Sequence, residues 1–585
     1  MAAASSRCGR NHSQVILFYR IEFHSFEQGG TGTGKTVCVP QWTYDHVFYE
    51  LGKPGKKVAI LVPRRAIAEG LAGYISRTRN VLLGEEVGLG VSGNIQFSDK
   101  TRFFFATYGC FRAMTQGQQH FQEWDAVLLD EAHERNIDAD ALFPQLALAS
   151  KARPLGTANE FRAIIMSATI DVKRFADTLA ESLRMAPQDP LPNVPSISVE
   201  GVTYPVVDIY SDTNWDPQAS GAVVNLCSFV MQVFRKEAGN VLVFLPTINA
   251  VDEAVGQVQN EMRHDSNCVI KPLYAALDTW EKNEVEFFTD LKQYPDNEGK
   301  RLICFSTNVA EAGITIPGIS AVIETGCEIS VVYDPVLRMS TIACQPISKA
   351  SQVQRRGRAG RTAPGTCYCT YTEGFFQSMS NYAVPSIEKS DLQGFYLGLI
   401  NSGLDPLANS QTAGLLDTPV SRLEAARDEL LQKGIIRRNT ATGVYETTDP
   451  GWLVSRIPLD ISYAVGLLVA VQKYNCGNDF AILASVGMSA ARAGVFLKEA
   501  TADQKKSLAH PSGDHLTFIN VYKEWLKEKS IDWSEANGVR HDVLQSADEL
   551  LTKVRHACQG NFNQAPVPLQ DTPEGDDRTE GLTSL

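Results

Sequence analysis

Four things are scarce in this 585-residue chain, and each scarcity narrows what it can be. Long apolar runs are missing: no stretch approaches the roughly 18 residues that span a bilayer, and the run LLVAV at 467–471 is far too short. The N-terminus has no basic region leading into an apolar core and a cleavage site, so no secretory signal is expected there. Paired cysteines are also missing. The 12 cysteines are scattered without a CxxC, and only Cys367 and Cys369 lie close together. That pattern fits reduced thiols inside a cell better than a disulfide framework or a zinc site. Positive charge is short as well, 54 Lys and Arg against 67 Asp and Glu, for a net charge of −13. A nucleic-acid coat protein would be basic, so this balance argues weakly against RNA binding. A motor that grips a few phosphates inside a channel remains compatible with it.

What is present is ordinary globular material: 44% hydrophobic, 21% charged and 9% aromatic residues, enough to bury substantial cores. The length leaves room for roughly three or four domains. Apolar runs at 58–62, 102–107, 126–130 and 163–169 alternate with helical patterns. A Pro-rich break at 186–195 follows, and a second set then runs at 241–245, 301–307, 321–325 and 367–372. Continuous apolar strands separated by helices predict parallel sheets covered on both faces, hence two α/β domains.

Beyond about residue 376 the texture turns helical. The segment from Ser421 to Gly434 reads as a helix with a capping box, Ser421 with Glu424, an apolar face of Leu423, Ala426 and Leu430, and a terminating glycine. IIRR and VYET around NTATG predict a small hairpin, so this region has the helices and hairpin of a winged helix. Residues 448–558 read as a helical bundle. The tail from Asn561 holds five acids against one Arg, with three prolines, and predicts disorder.

Three segments carry chemistry. GGTGTGKT at 29–36 fits GxxxxGKT. The backbone from Gly30 through Thr31, Gly32, Thr33 and Gly34 would wrap phosphates, Lys35 would reach the β and γ oxygens, and the Thr36 hydroxyl would hold Mg²⁺. The following segment reads as a helix whose N-terminal dipole favours the anion. The strand AVLLD then carries Asp130 and Glu131 to a sheet edge; Asp130 would position Mg²⁺, with Glu131 beside it, and Glu131 would orient and deprotonate the attacking water. Taken alone, such a pair is more often a solvated acidic turn. In QRRGRAGR at 354–361, Arg358 and Arg361 stand three apart, as on one helical face. An Arg-rich stretch is usually solvated or RNA-facing; here the spacing suits two arginine fingers, worth about 10³-fold or more in phosphoryl transfer. Their place in the second domain would make hydrolysis depend on domain closure.

Read in order, GGTGTGKT, PRRAIA (63–68), TYGCFR (107–112), DEAHER (130–135), SAT (167–169), VLVFLP (241–246), STNVAEAGITI (306–316) and QRRGRAGR resemble the motif series of DEAH-box RNA helicases. TYPV (203–206), PISKAS (346–351), PLD (458–460) and AHPSGDHLTFINVYKEW (509–525) are similar to the splicing and ribosome-biogenesis branch, and the likeness covers roughly 29–558. The resemblance implies an α/β fold: two tandem RecA-like P-loop domains (1–190 and 191–376), a winged helix (377–447), a ratchet-like helical bundle (448–560) and the acidic tail (561–585). It implies an ATP-dependent enzyme, using ATP or another NTP with Mg²⁺, that steps 3′ to 5′ along single-stranded RNA and remodels RNA–protein complexes. By motif, His133 links the nucleotide site to the interdomain contact, and Ser167 and Thr169 couple hydrolysis to movement. Gln354 joins Arg358 and Arg361 at the γ-phosphate, and Arg64, Arg65, Thr107, Thr307 and Asn308 hold RNA phosphates. Residues 328–348 resemble the family's duplex-splitting β-hairpin; an ordinary surface hairpin is the alternative. The expected setting is intracellular and nuclear, without a membrane partner.

Three departures from the family pattern carry expectations of their own. Residues 11–18 resemble the strand that normally enters the P-loop, yet a polar segment, 19–28, separates it from Gly29 and should loosen the loop. The sequence ends where the family's OB-fold, the docking surface for G-patch activators, should begin, so the expectation is a chain lacking a complete OB-fold. Ala312 and Gly313 stand where the family has Thr-Ser, and Tyr108 replaces an acidic residue. A catalytically impaired RNA- or partner-binding paralogue or fragment, and a DNA-directed or viral motor, remain alternatives.

Overall fold

A computed structural model of the chain describes residues 25–29, 35–45, 55–167, 172–184, 189–199 in part, and 204–561, with gaps within 264–293 and at 312–315, 335–338, 362, 409–414, 418, 492–493 and 498. The phosphate-loop residues 30–34, Thr169, Ala312–Gly313 and the tail beyond 561 therefore lie outside the described residues, as does the 11–18 segment. The chain divides into two units. The first holds Met1–Asp391 and Ala413–Pro419, and the second Leu392–Thr412 and Val420–Leu585.

The first unit contains two sheets. Eight strands build one of them: β1 (Ser25–Gly29), β2 (Val58–Val62), β3 (Val87–Val91), β4 (Asn94–Gln96), β5 (Phe103–Thr107), β6 (Ala126–Leu129), β7 (Arg162–Ser167) and β8 (Ser196–Val199). Their order is β4-β3-β5-β2-β6-β7-β1-β8, and every neighbouring pair is parallel except β3 with β4. The pleat sends alternate residues to opposite faces. Ala59, Leu61, Phe104, Val127 and Ile165 enter one core, and Val58, Ile60, Val62, Phe103, Phe105 and Leu128 the other. Helices on both faces close these cores, among them Arg65–Arg79 and Ile137–Ala152.

The second sheet follows the same plan. Its strands are β9 (Val206–Tyr210), β10 (Asn240–Phe244), β11 (Cys268–Leu273), β12 (Arg301–Ser306), β13 (Ile319–Glu324) and β16 (Gly365–Cys369), ordered β11-β12-β10-β13-β16-β9. All pairs are parallel. Val241, Val243, Ile303 and Phe305 face one core, and Leu242, Phe244, Leu302 and Cys304 the other. Between β13 and β16 an antiparallel hairpin, β14 (Cys327–Asp334) with β15 (Met339–Pro346), stands apart from the sheet.

Several sequence expectations shift. The strand leading into the phosphate loop is β1, inside the supposed insert, and it pairs with β7 on one side and β8 on the other. Ladder hydrogen bonds join backbone groups, so a polar strand held between two partners forms without an apolar sequence. Residues 25–28 of the supposed insert are thus strand, and the loosening expected of the phosphate loop falls on 30–34, outside the described residues. The first sheet also runs to Val199, past the expected boundary at 190. The expected boundary at 376/377 falls inside the first unit, because Ser386 donates its N–H to the Arg135 carbonyl (3.0 Å) and Asp417 pairs with the Arg135 guanidinium (2.8 Å).

In the second unit the helix Val420–Gln432 buries Leu423, Ala426 and Leu430 as the pattern predicts. It begins before Ser421, so that serine lies inside the helix and does not cap it. The C-terminal end is as read. Gly434 takes φ +68°, its N–H reaches the Leu431 carbonyl (3.0 Å) and that of Ile435 the Leu430 carbonyl (2.9 Å), a Schellman closure that suits glycine. The hairpin of β17 (Ile436–Arg438) and β18 (Tyr445–Thr447) follows, and then helices from Asp449 to Asn561. Among the described residues no single helix is long and apolar enough to cross a membrane.

Candidate active site

Parallel strands deliver their C-terminal ends to one edge, where ligands of such sheets bind. In the first sheet that edge carries Gly29, Thr107, Asp130 and Ser167; in the second it carries Thr307, Asn308 and Glu324. Thr36, in the helix Lys35–Trp42, donates its hydroxyl to Asp130 Oδ2 at 2.5 Å. Asp130 is 1% exposed, and its other carboxylate oxygen accepts the Glu131 N–H (2.9 Å). A hydroxyl and a carboxylate converging beside the phosphate loop form the hard-oxygen donor set that Mg²⁺ takes, so Thr36 and Asp130 fit the expected ion.

Glu131 adopts φ +52°, ψ +37°. Left-handed backbone at a residue other than glycine is uncommon and clusters at functional sites. Its carboxylate lies 3.4 Å from His133 Nδ1, and the same nitrogen lies 3.0 Å from Ser167 Oγ. The other ring nitrogen, Nε2, meets the Gln354 side-chain amide at 2.5 Å. An amide N–H donating to Nε2 leaves the ring proton on Nδ1, facing Ser167 and Glu131. One imidazole thus joins the DEAH turn and the SAT strand of the first sheet to the QRRGRAGR segment of the second.

That segment departs from expectation in one respect. Its helix, Lys349–Arg356, stops before Arg358 and Arg361, the expected arginine fingers. Arg358 and Arg361 lie on the turns beyond, so they do not share a helical face; i→i−3 bonds from Arg358 to Arg355 (3.1 Å) and from Ala359 to Arg356 (3.1 Å) tighten the exit. Burial pushes the Arg358 guanidinium well below its usual pKa, with the nearby Arg361 adding to the fall. Arg361 is lowered by burial and supported by Glu131. Two desolvated cations facing a carboxylate form a site that gains strongly from an arriving anion.

The expected RNA contacts gather at the same edges. Arg64 donates to the Asn308 carbonyl (3.1 Å) and pairs with Glu134 at 3.4 Å, so expected contacts from both sheets touch each other. Arg65 is largely exposed and pairs with Glu69 at 2.9 Å. Thr107 ends β5, and Thr307 follows β12. Lys35 is the first residue of its helix.

The family of DEAD/DEAH box helicases matches residues 13–178, and the helicase conserved C-terminal domain matches 222–363. The chain carries a DEAD/DEAH-box helicase domain and a helicase C-terminal domain. Two solved structures share the architecture. One, described as Escherichia coli DExH-box NTPase HrpB, is similar at TM-score 0.70 and 23% identity, over 96% of this chain and 62% of that one. The other, described as Escherichia coli DEAH/RHA helicase HrpB, is similar at TM-score 0.69 and 24% identity, over 89% of this chain and 60% of that one. The chain therefore spans about three fifths of their length, and the likeness is one of fold.

The helicase domains also contain groups that sequence reasoning passed over. Arg355 is the most deeply buried of the motif's arginines, 1% exposed. It meets Glu311 (2.8 Å), Glu324 (3.0 Å) and Glu328 (3.5 Å) and lies over the Phe244 ring at 4.8 Å. Glu311 also accepts the Ser351 hydroxyl, and its backbone carbonyl accepts an Arg358 N–H. The available signal was Glu324 itself, a carboxylate closing the apolar run 321–323.

Proposed function

We propose that the chain is an NTP-dependent RNA helicase that binds ATP or another nucleoside triphosphate with Mg²⁺, moves 3′ to 5′ on single-stranded RNA and remodels RNA–protein complexes. The observation that carries this reading is the His133 relay, in which one side chain senses Glu131, Ser167 and Gln354 together. Hydrolysis requires a water aligned with the γ-phosphate, a base for its proton, and cations against the charge that develops. Glu131 takes the proton, Arg358 and Arg361 stabilise the charge, and Gln354 completes the site only when both sheets are engaged. Lys35, with the backbone from Gly30 to Thr36, holds the phosphates, and Mg²⁺ at Thr36 and Asp130 neutralises phosphate charge when bound. Contacts from Arg64, Arg65, Thr107, Thr307 and Asn308 suit a backbone grip indifferent to base sequence, with Ser167 and Thr169 linking that grip to the cycle. The segment 509–525 supports a nuclear role in splicing or ribosome biogenesis, with a G-patch activator where an OB-fold is supplied.

The test is phosphate release by the full chain, with and without single-stranded RNA, alongside Lys35→Ala. RNA-stimulated turnover abolished by Lys35→Ala is the expected result, and unwinding of duplexes with 3′ but not 5′ overhangs gives the direction. No RNA-dependent turnover in the parent chain overturns the proposal and leaves RNA or partner binding without turnover as the reading.

A further inference from the structure

Tyr108 occupies a position with no part in the chemistry so far, yet it is packed directly beneath the catalytic turn. It is 2% exposed, opens the helix Tyr108–Thr115 immediately after Thr107, and donates its hydroxyl to the backbone carbonyl of Asp130. The peptide group between Asp130 and Glu131 is therefore pinned at both ends. Its oxygen is held by Tyr108, and its N–H by the Asp130 carboxylate at 2.9 Å. The orientation of that peptide sets φ of Glu131, which is the left-handed +52°. Arg135 in the same turn also has positive φ, +46°.

We infer that Tyr108 is a positioning residue: its hydroxyl locks the 130–131 peptide so that the Glu131 carboxylate is presented to the attacking water. A phenol titrates only at about pH 10, so the group is protonated and remains a donor around neutral pH. A carboxylate at 108 would supply no such donor when ionised. A phenylalanine keeps the ring and its packing and removes only the bond.

The inference rests on the proposed role of Glu131, and the experiment separates the two. Single-turnover ATP hydrolysis with enzyme in excess is measured for the parent chain, Tyr108→Phe, Glu131→Gln and the double variant, each with its affinity for a fluorescent nucleotide. Misplacing a reacting group by about 1 Å can cost 10²-fold. Tyr108→Phe is thus expected to lower the hydrolysis rate about 10-fold or more in the parent background, with nucleotide affinity within about twofold. In the Glu131→Gln background it should change nothing further, because the group it positions is gone. A parent-like rate for Tyr108→Phe overturns the inference, as does an equal loss in both backgrounds, which would mark a general structural role. If Glu131→Gln itself hydrolyses like the parent chain, the assignment of Glu131 fails instead.

Discussion

Replacing Arg355 by methionine removes a fully buried charge from the helix Lys349–Arg356, which packs beside the second sheet. The side chain keeps its length and apolar stem, but Glu311, Glu324 and Glu328 lose their shared cation, and Glu324 is fully buried. Removing one partner of a buried ion pair strands the other and costs about 3–5 kcal/mol. That is a large part of the ~5–15 kcal/mol that holds a domain folded. The penalty should also depend on pH. Burial raises the Glu324 pKa above its ordinary value, and Arg355 is the main influence opposing that rise. A carboxyl raised in the folded state stabilises below its unfolded pKa of about 4.3, and that contribution is lost as pH climbs through the folded value. Without Arg355 the folded value climbs further, so the cost of Arg355→Met grows from pH 5 to pH 8. Urea unfolding of the parent and variant chains at both pH values measures it, and Arg355→Met/Glu324→Gln should recover part of the loss. A loss under about 1 kcal/mol, or one equal at both pH values, would refute the argument.

Other substitutions probe separate features. Arg153 is buried and donates to the carbonyls of Phe121 (2.9 Å), Trp124 (2.8 Å) and Asn159 (3.0 Å); Arg153→Met leaves them short of a donor and should cost about 3 kcal/mol in urea unfolding. At Gly451 an added Cβ would lie 2.1 Å from the Ile435 carbonyl oxygen, so Gly451→Ala should lower the thermal midpoint of the second unit, by roughly 1–3 kcal/mol of stability. His133→Ala and Gln354→Ala, singly and together, should be non-additive in ATP turnover by about 1 kcal/mol or more; strictly additive losses would separate the two residues functionally.

Burial on both faces explains what the sequence made legible. β2, β6, β10 and β12 read as unbroken apolar runs because helices cover each side of their sheets. Strands without that signature escaped notice. β11 is an edge strand containing Lys271 and Pro272, and an edge tolerates both. In β3, Gly90 leaves room for the Phe104 ring, which an added Cβ would approach to 2.3 Å, so little side chain remained to detect. β1 is polar and is specified by its two neighbours. At the site, spacing brought forward the expected nucleotide motifs, but it could not say which arginine of QRRGRAGR is buried deepest and ion-paired. Arg355 is, and its three carboxylates, Glu311, Glu324 and Glu328, come from other segments of the chain.

The anchoring of the β14–β15 hairpin has a mechanical consequence. Each strand is eight residues long, giving an arm of roughly 26 Å at about 3.3 Å per residue. Glu328, one residue into that arm, grips Arg355, whose neighbour Gln354 touches His133. The root of the hairpin thus sits beside the candidate active site, where a rigid arm would act as a lever. A tilt of about 5° at the root, a sub-ångström adjustment at Arg355, carries the far end through roughly 2 Å over that arm length.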